Sequence, residues 1–202
     1  MNKEKVIKYK WPLLFACLIM AAAEIGYTVY LGNYASWTEY NLSVVGGWYG
    51  HKWGLMIWGW LTAVVFVSFM SLVLIVNKYR GKASWILEAA AGVVLSVAVI
   101  IPYQPRPNEG SVISNIHITL SMIGPLCLVA AMIAFTVSSI KRGNRAFIFT
   151  GLVLLMMMAC AAWIFIIYGI ITTVLEVYTV SAMTLLLTLM FLASYAGKKE
   201  SA

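Results

Sequence analysis

Glu24 is an acidic side chain in the middle of an apolar segment, and it is the first residue here whose type and position could support chemistry. It lies about thirteen residues into that segment. An ionised carboxylate at such a depth in a membrane costs roughly 2.5 kcal/mol or more, so it must face other helices, find a partner or keep its proton. A neutral Glu24 that hydrogen-bonds to a neighbouring helix is the structural alternative.

His117 is the second such residue, because it stands just inside the apolar segment that follows a polar loop. An imidazole in this position can act as an acid, as a base or as a ligand. Ser121 lies one helical turn further on the same face, and Pro125 frees a backbone carbonyl near it, so this face must be buried against protein. The structural alternative is an interfacial histidine that the loop satisfies.

Two further glutamates stand near the ends of apolar segments. Glu176 lies near the start of the last segment, where it can bind a ligand or simply favour the positive end of the helix dipole. Glu88 lies about one turn inside its own segment, where Lys82 or Arg80 could reach it. The predicted ligand-binding residues are Glu24, Tyr27, His117, Ser121 and Glu176.

The composition places these residues in a membrane protein. The chain has 202 residues, of which 62% are hydrophobic and 10% charged, against roughly 45–50% and 25% in soluble domains. The net charge of +7 lies in short clusters between apolar segments and not on one solvated face, so no nucleic-acid partner is expected. Two histidines and three widely separated cysteines predict no metal site, and no cofactor or catalytic residue is identified.

Six segments are long enough to cross a bilayer, which needs about 20 apolar residues per helix. The last two are nearly continuous, so a tight hairpin between Gly169 and Thr173 must separate them. Prolines at 102, 105 and 107 are expected to end the third span. The predicted spans are 11–31, 53–76, 84–103, 114–140, 146–169 and 173–196.

Basic residues predict the orientation of these spans. With six spans, twelve of the fourteen Lys and Arg residues fall on one side, and only Lys52 and Arg106 fall on the other. The positive-inside rule then predicts that both termini are cytoplasmic. We therefore expect residues 1–202 to form a single all-α domain, a six-transmembrane-helix bundle in a bacterial cytoplasmic membrane.

The first outer loop, residues 32–53, is rich in aromatic residues and glycine. On the predicted topology it lies at the same side as Glu24, His117 and Glu176. It could cover a polar pocket as a lid, or lie among lipid headgroups, and its composition favours the headgroups.

Three features follow one another around the second polar loop. Pro102 lies at the outer end of the third span, a short polar loop comes next, and His117 then precedes Ser121. This pattern resembles the six-helix bacterial membrane proteins grouped as domain of unknown function 998. Those proteins often carry an Asp beside Ser and Gly in the first outer loop. Here that loop has Ser43, Gly46 and Gly47 without the Asp. The resemblance implies an architecture and no established activity.

The sequence thus predicts a small, non-enzymatic multi-pass membrane protein that binds a lipid or other amphiphile at an outer-leaflet polar pocket, as an accessory to a transporter or alone. One alternative is an intramembrane lipid-directed hydrolase or transferase that uses Glu24 and His117. Another is a structural or immunity-type partner of a different membrane protein. The expected partners are the lipid bilayer, an amphiphilic ligand and a membrane protein.

Overall fold

The computed structural model describes residues 8–101, 103 and 112–196, and these form helices joined by turns, with no strand among them. Six helices are long, and one, α2, is a short helix within the first loop. In chain order they are α1 (Lys10–Gly32), α2 (Leu42–Gly47), α3 (Lys52–Val76), α4 (Lys82–Ala98), α5 (Val112–Lys141), α6 (Ala146–Tyr168) and α7 (Thr173–Ala196).

Five of these helices, α1, α3, α5, α6 and α7, are long and apolar enough to cross a membrane, which makes the chain a multi-pass integral membrane protein. The helix α4 is shorter. Its 17 residues rise about 26 Å, slightly less than the ~30 Å hydrocarbon core. It ends at Ala98, five residues before the predicted end of the third span at 103. The prolines at 102, 105 and 107 lie outside the described residues.

The long helices pack in a closed ring in chain order. Each contacts the next, and α7 returns to α1. The helix α3 also contacts α7 across the ring, so it is covered on several sides and is the most deeply buried of the candidate spans. The described residues therefore confirm the all-helical architecture, in which α3 is the most enclosed of the candidate spans.

Aromatic and small side chains hold this ring together. Phe69 of α3, Phe135 of α5 and Phe191 of α7 are fully buried, and the Phe135 ring meets the Phe147 ring of α6 edge-on at 5.1 Å. Close helix contacts depend on small residues, since lipid tails are as apolar as leucine and burial alone does not drive association. At Gly59 of α3, for example, a Cβ atom would collide with the Val99 side chain.

The two ends of the bundle differ in character. One end holds the start of α1 and the ends of α3, α5 and α7. There the Trp11 and Phe191 rings are 5.6 Å apart and Asn77 donates to Ser194. We call it the basic end, because the described loop residues there include Lys78, Arg80, Arg142 and Arg145. At the opposite end α6 stops at Tyr168, and Gly169, with φ of +70°, turns the chain toward α7, at the position of the predicted hairpin.

Candidate functional site

The loop of residues 33–51, which we call the cap, covers the end of the bundle opposite the basic end. Its centre is α2, whose Leu42, Val44 and Val45 are buried. The side chain of Asn41 caps this helix by accepting from the Val44 backbone N–H at 3.0 Å. Because the cap buries apolar side chains and packs on the helices, it does more than lie among headgroups, the arrangement that the composition favoured.

The first turn of α7 binds the cap through its backbone. The backbone N–H and the hydroxyl of Thr173 both donate to the Tyr40 carbonyl, at 2.8 and 2.9 Å, and the Val174 N–H donates to the Trp37 carbonyl at 3.2 Å. The next two N–H groups of α7 find acceptors in Thr172. The first three N–H groups of α7, which have no intrahelical partner, are therefore all satisfied, and the fourth makes the first intrahelical bond.

Glu176 adds a side-chain bond to the same contact. Its Oε2 accepts from the Leu42 backbone N–H at 2.8 Å. The predicted alternative was an acid that merely favours the helix dipole. The residue does lie in the first turn of α7, but its carboxylate also binds α2 directly. An intramolecular hydrogen bond of this kind stabilises by about 0.5–1.5 kcal/mol.

His117 joins three parts of the chain, and its side chain is only 2% exposed. Its Nδ1 lies 2.9 Å from the Ala98 carbonyl and 2.8 Å from the Ile101 carbonyl, both at the end of α4. Its Nε2 lies 2.8 Å from the Ser43 hydroxyl of α2. The helix α5 thereby carries one side chain that fastens the end of α4 to the cap.

The backbones of the cap and of the segment after α4 also touch. A Cβ atom on Gly47 would collide with the carbonyl oxygen of Tyr103, so only glycine fits at this position. The Tyr103 ring lies 5.4 Å from the His117 ring. Ser43 is thus held on a helix whose far end is fixed by a backbone contact.

Glu24 occupies a different position, deeper in α1. It is fully buried, and neither carboxylate oxygen has a hydrogen-bond partner. The neighbouring hydroxyls are used elsewhere. The Thr28 hydroxyl donates to the Glu24 backbone carbonyl at 2.8 Å and accepts from the Trp58 indole, and Thr62 donates to the Trp58 carbonyl at 2.9 Å.

Glu88 lies near the basic end and is 2% exposed. Its Oε1 accepts from the Ser71 hydroxyl of α3 at 2.5 Å, and its Oε2 has no partner. The expectation that it reaches Lys82 or Arg80 is wrong, since the side chain points into the bundle while both basic side chains are exposed.

The five predicted site residues do not all converge. His117 and Glu176 bind consecutive residues of α2, so they do lie at one site. Tyr27 stacks on Tyr30 at 5.9 Å and packs against the small apolar cluster of Leu31, Leu42 and Leu55. Ser121 is partly buried one turn beyond His117 on α5.

Ser43 was missed as a site residue. Only its position beside Gly46 and Gly47 in an aromatic loop distinguished it in the sequence. The other histidine, His51, stacks on Tyr34 with the ring centres 3.8 Å apart. A hydrogen bond with Tyr30 raises the pKa of the Tyr34 phenol.

A cavity of about 250 Å³ lies at the basic end, lined by Val76, Asn77, Lys78, Ser139, Arg142, Asn144 and Ser194. None of the predicted site residues lines it. Within the described part of the chain, no group of three or more His, Cys, Asp or Glu side chains is placed to hold a metal ion.

Comparisons with known proteins found no match: no protein-family model fits the chain, and no curated protein or solved structure is significantly similar to it. The resemblance to domain of unknown function 998 therefore stays a prediction.

Proposed function

We propose that this protein binds a lipid or other amphiphile at its capped end, within a six-span bundle whose basic end faces the cytoplasm of a bacterium. The helix α4 is the remaining span in this topology. The basic loops at one end and the aromatic cap at the other favour this orientation by the positive-inside rule.

The observation that carries the proposal is the unpaired carboxylate of Glu24. A buried carboxylate without a hydrogen-bond donor costs free energy. Either protonation of the carboxylate or a hydrogen bond from a ligand lowers that cost. The Thr62 hydroxyl lies within reach of the carboxylate, but its hydrogen goes to the Trp58 carbonyl, and the Thr28 hydroxyl donates to the Glu24 backbone carbonyl. A ligand with a hydroxyl or an amine would supply the missing hydrogen bond.

An apolar cluster connects this carboxylate to the cap. Leu42 of the cap packs with Leu31 and Leu55, and both Tyr27 and Trp58 lie against this cluster. The Trp58 indole in turn binds Thr28, one turn from Glu24. A lipid that displaces Leu42 would therefore place apolar groups against this cluster, and a hydroxyl or amine that reached past the cluster would meet a hydrogen-bond acceptor.

Native mass spectrometry of protein extracted gently from its own membrane tests the proposal. We expect a lipid or amphiphile to remain on the wild type and to be reduced at least 10-fold in Glu24→Gln, because the neutral amide changes the donor and acceptor pattern while keeping the shape. Glu88→Gln is the matched control, since it removes another buried carboxylate near the opposite end and should leave the adduct unchanged. A bare wild type, or equal adducts on all three folded proteins, would overturn the proposal.

The lipid-directed hydrolase with Glu24 as base has less support. Both ring nitrogens of His117 are already bonded to Ala98, Ile101 and Ser43, and no bond joins the ring to Glu24. Any acyl chemistry at this end must use a different pair.

A further inference from the structure

We propose that Ser43 and His117 form a nucleophile and general-base pair that attacks carboxylic esters of membrane lipids. The proposal rests on the contacts of the His117 ring and not on Glu24, so it stands apart from the binding function above. Its parts are a hydroxyl, an imidazole and a group that orients the imidazole, which together define an activated serine.

The partners of the ring determine where its hydrogen lies. The carbonyl oxygens of Ala98 and Ile101 can only accept, and both lie within 2.9 Å of Nδ1. The hydrogen of the neutral imidazole is therefore on Nδ1, which leaves the lone pair on Nε2. The Ser43 hydroxyl, 2.8 Å away, must then donate to Nε2. This is the direction that removes a proton from a serine nucleophile.

The structure also holds both groups in position. The ring is fixed at Nδ1 by two backbone oxygens, the role that a carboxylate plays in other serine hydrolases. Ser43 lies on α2, whose first residue, Leu42, donates its N–H to Glu176. At the other end of α2, Gly47 lies against the Tyr103 carbonyl. Positioning by several elements is what a catalytic pair needs, since small displacements cost large factors in rate.

Exposure differs between the two members in the way that catalysis requires. The His117 side chain is 2% exposed, whereas Ser43 is partly exposed. An incoming carbonyl can therefore reach the hydroxyl while the base stays shielded from water. The pair lies where the cap meets α5, at one end of the membrane-spanning helices, the level at which the ester groups of lipids meet the headgroup region. The substrate class that fits is a lipid carboxylic ester.

The reaction balances with water as the only co-reactant. The Ser43 oxygen bonds to the ester carbonyl carbon as its proton passes to His117 Nε2. The carbon–oxygen bond to the alcohol then breaks, and that alcohol takes the proton from Nε2. Water attacks the acyl-serine by the same route and releases a carboxylic acid. A second lipid alcohol in place of water would give acyl transfer.

Labelling with a fluorophosphonate probe tests the pair, because this probe reacts with activated serines and not with ordinary ones. The full-length protein in detergent is treated with the probe, and the modified residue is located by peptide mass spectrometry. We expect a covalent adduct at Ser43, its absence in Ser43→Ala, and a rate at least about 100-fold lower in His117→Asn, in line with the usual effect of a general base.

Matched variants separate chemistry from folding. His117→Asn keeps an amide donor for the Ala98 and Ile101 carbonyls but has no base at the Nε2 position, so it tests the proposal without emptying the site. Ser36→Ala removes an exposed serine of the same cap and should label like the wild type. Glu88→Gln changes a buried carboxylate near the opposite end and should also label normally. Labelling of Ser43 is measured apart from the lipid adduct, so failure of this proposal is distinguishable from failure of amphiphile binding. An unlabelled Ser43 in folded wild type, or equal rates in the wild type and His117→Asn, would overturn it.

Discussion

The two ends of the bundle are joined to α7 in different ways. At the capped end, the first loop folds back, and its backbone groups bond to the Thr173 N–H and hydroxyl and to the Glu176 side chain. At the basic end the loops are short, 77–81 and 142–145, and they leave a cavity of about 250 Å³ among polar side chains. At the capped end a long loop makes these bonds with its backbone, whereas at the basic end the side chains of Asn77 and Asn144 make them to α7.

This difference between the two ends predicts which side chains contribute most to the free energy of unfolding. Bonds at the capped end join a whole loop to α5 and α7, so their loss frees several elements together. Bonds at the basic end border an open cavity, where water can replace a lost partner at little cost.

Gly47→Val should have the largest effect, because its side chain would enter the space of the Tyr103 carbonyl. We expect a loss of about 3 kcal/mol in the free energy of unfolding, typical of overpacking at a rigid contact. Denaturant unfolding in detergent, followed by circular dichroism, measures it. Gly26→Ala is the control, since no atom lies within 4 Å of the added carbon. It should stabilise α1 by about 0.5–1 kcal/mol. Equal losses in the two variants would contradict the close contact.

Glu176→Ala should have an intermediate effect, because it leaves the Leu42 N–H without its acceptor. The expected loss is about 2 kcal/mol, together with faster proteolytic cleavage within residues 33–51. Glu176→Gln keeps an oxygen that can accept the same bond and should lose much less. Identical cleavage rates in the wild type and the alanine variant would show that this bond does not hold the cap.

Ser194→Ala should have the smallest effect. Asn77 loses one acceptor at the basic end but keeps its bond to the Val73 carbonyl at 2.8 Å. We expect a loss below about 1 kcal/mol, measured by thermal unfolding, and no change in cleavage of the cap. A loss as large as that of Glu176→Ala would contradict the prediction that bonds at the capped end contribute more to the free energy of unfolding.

The helices could be predicted from sequence because bilayer thickness and apolar length set their bounds. The hairpin at Gly169 followed from length alone, since a straight helix of that size would overrun the membrane. The burial of Glu24 was also predictable from its depth. These features depend on residues that are neighbours in the chain.

The cap could not be predicted, because its contacts join distant residues. Leu42 and Glu176 are 134 positions apart, and Ser43 and His117 are 74 apart. An aromatic and glycine-rich loop suits lipid headgroups as well as a folded cap, so composition does not separate the two. The error at Glu88 has a similar origin, since its partner is Ser71 on the preceding helix and not a basic residue close by in sequence.

The bonds between the cap and α7 also have a consequence for the order of assembly. The ribosome makes Tyr40 and Leu42 more than 130 residues before Thr173 and Glu176, so the cap cannot form these hydrogen bonds until α7 has entered the membrane. A nascent chain in which α7 has not yet inserted still carries an open first loop with unpaired backbone groups. Closure of the cap therefore reports that α7 has inserted, and a protease that cleaves open loops would select against chains in which it has not.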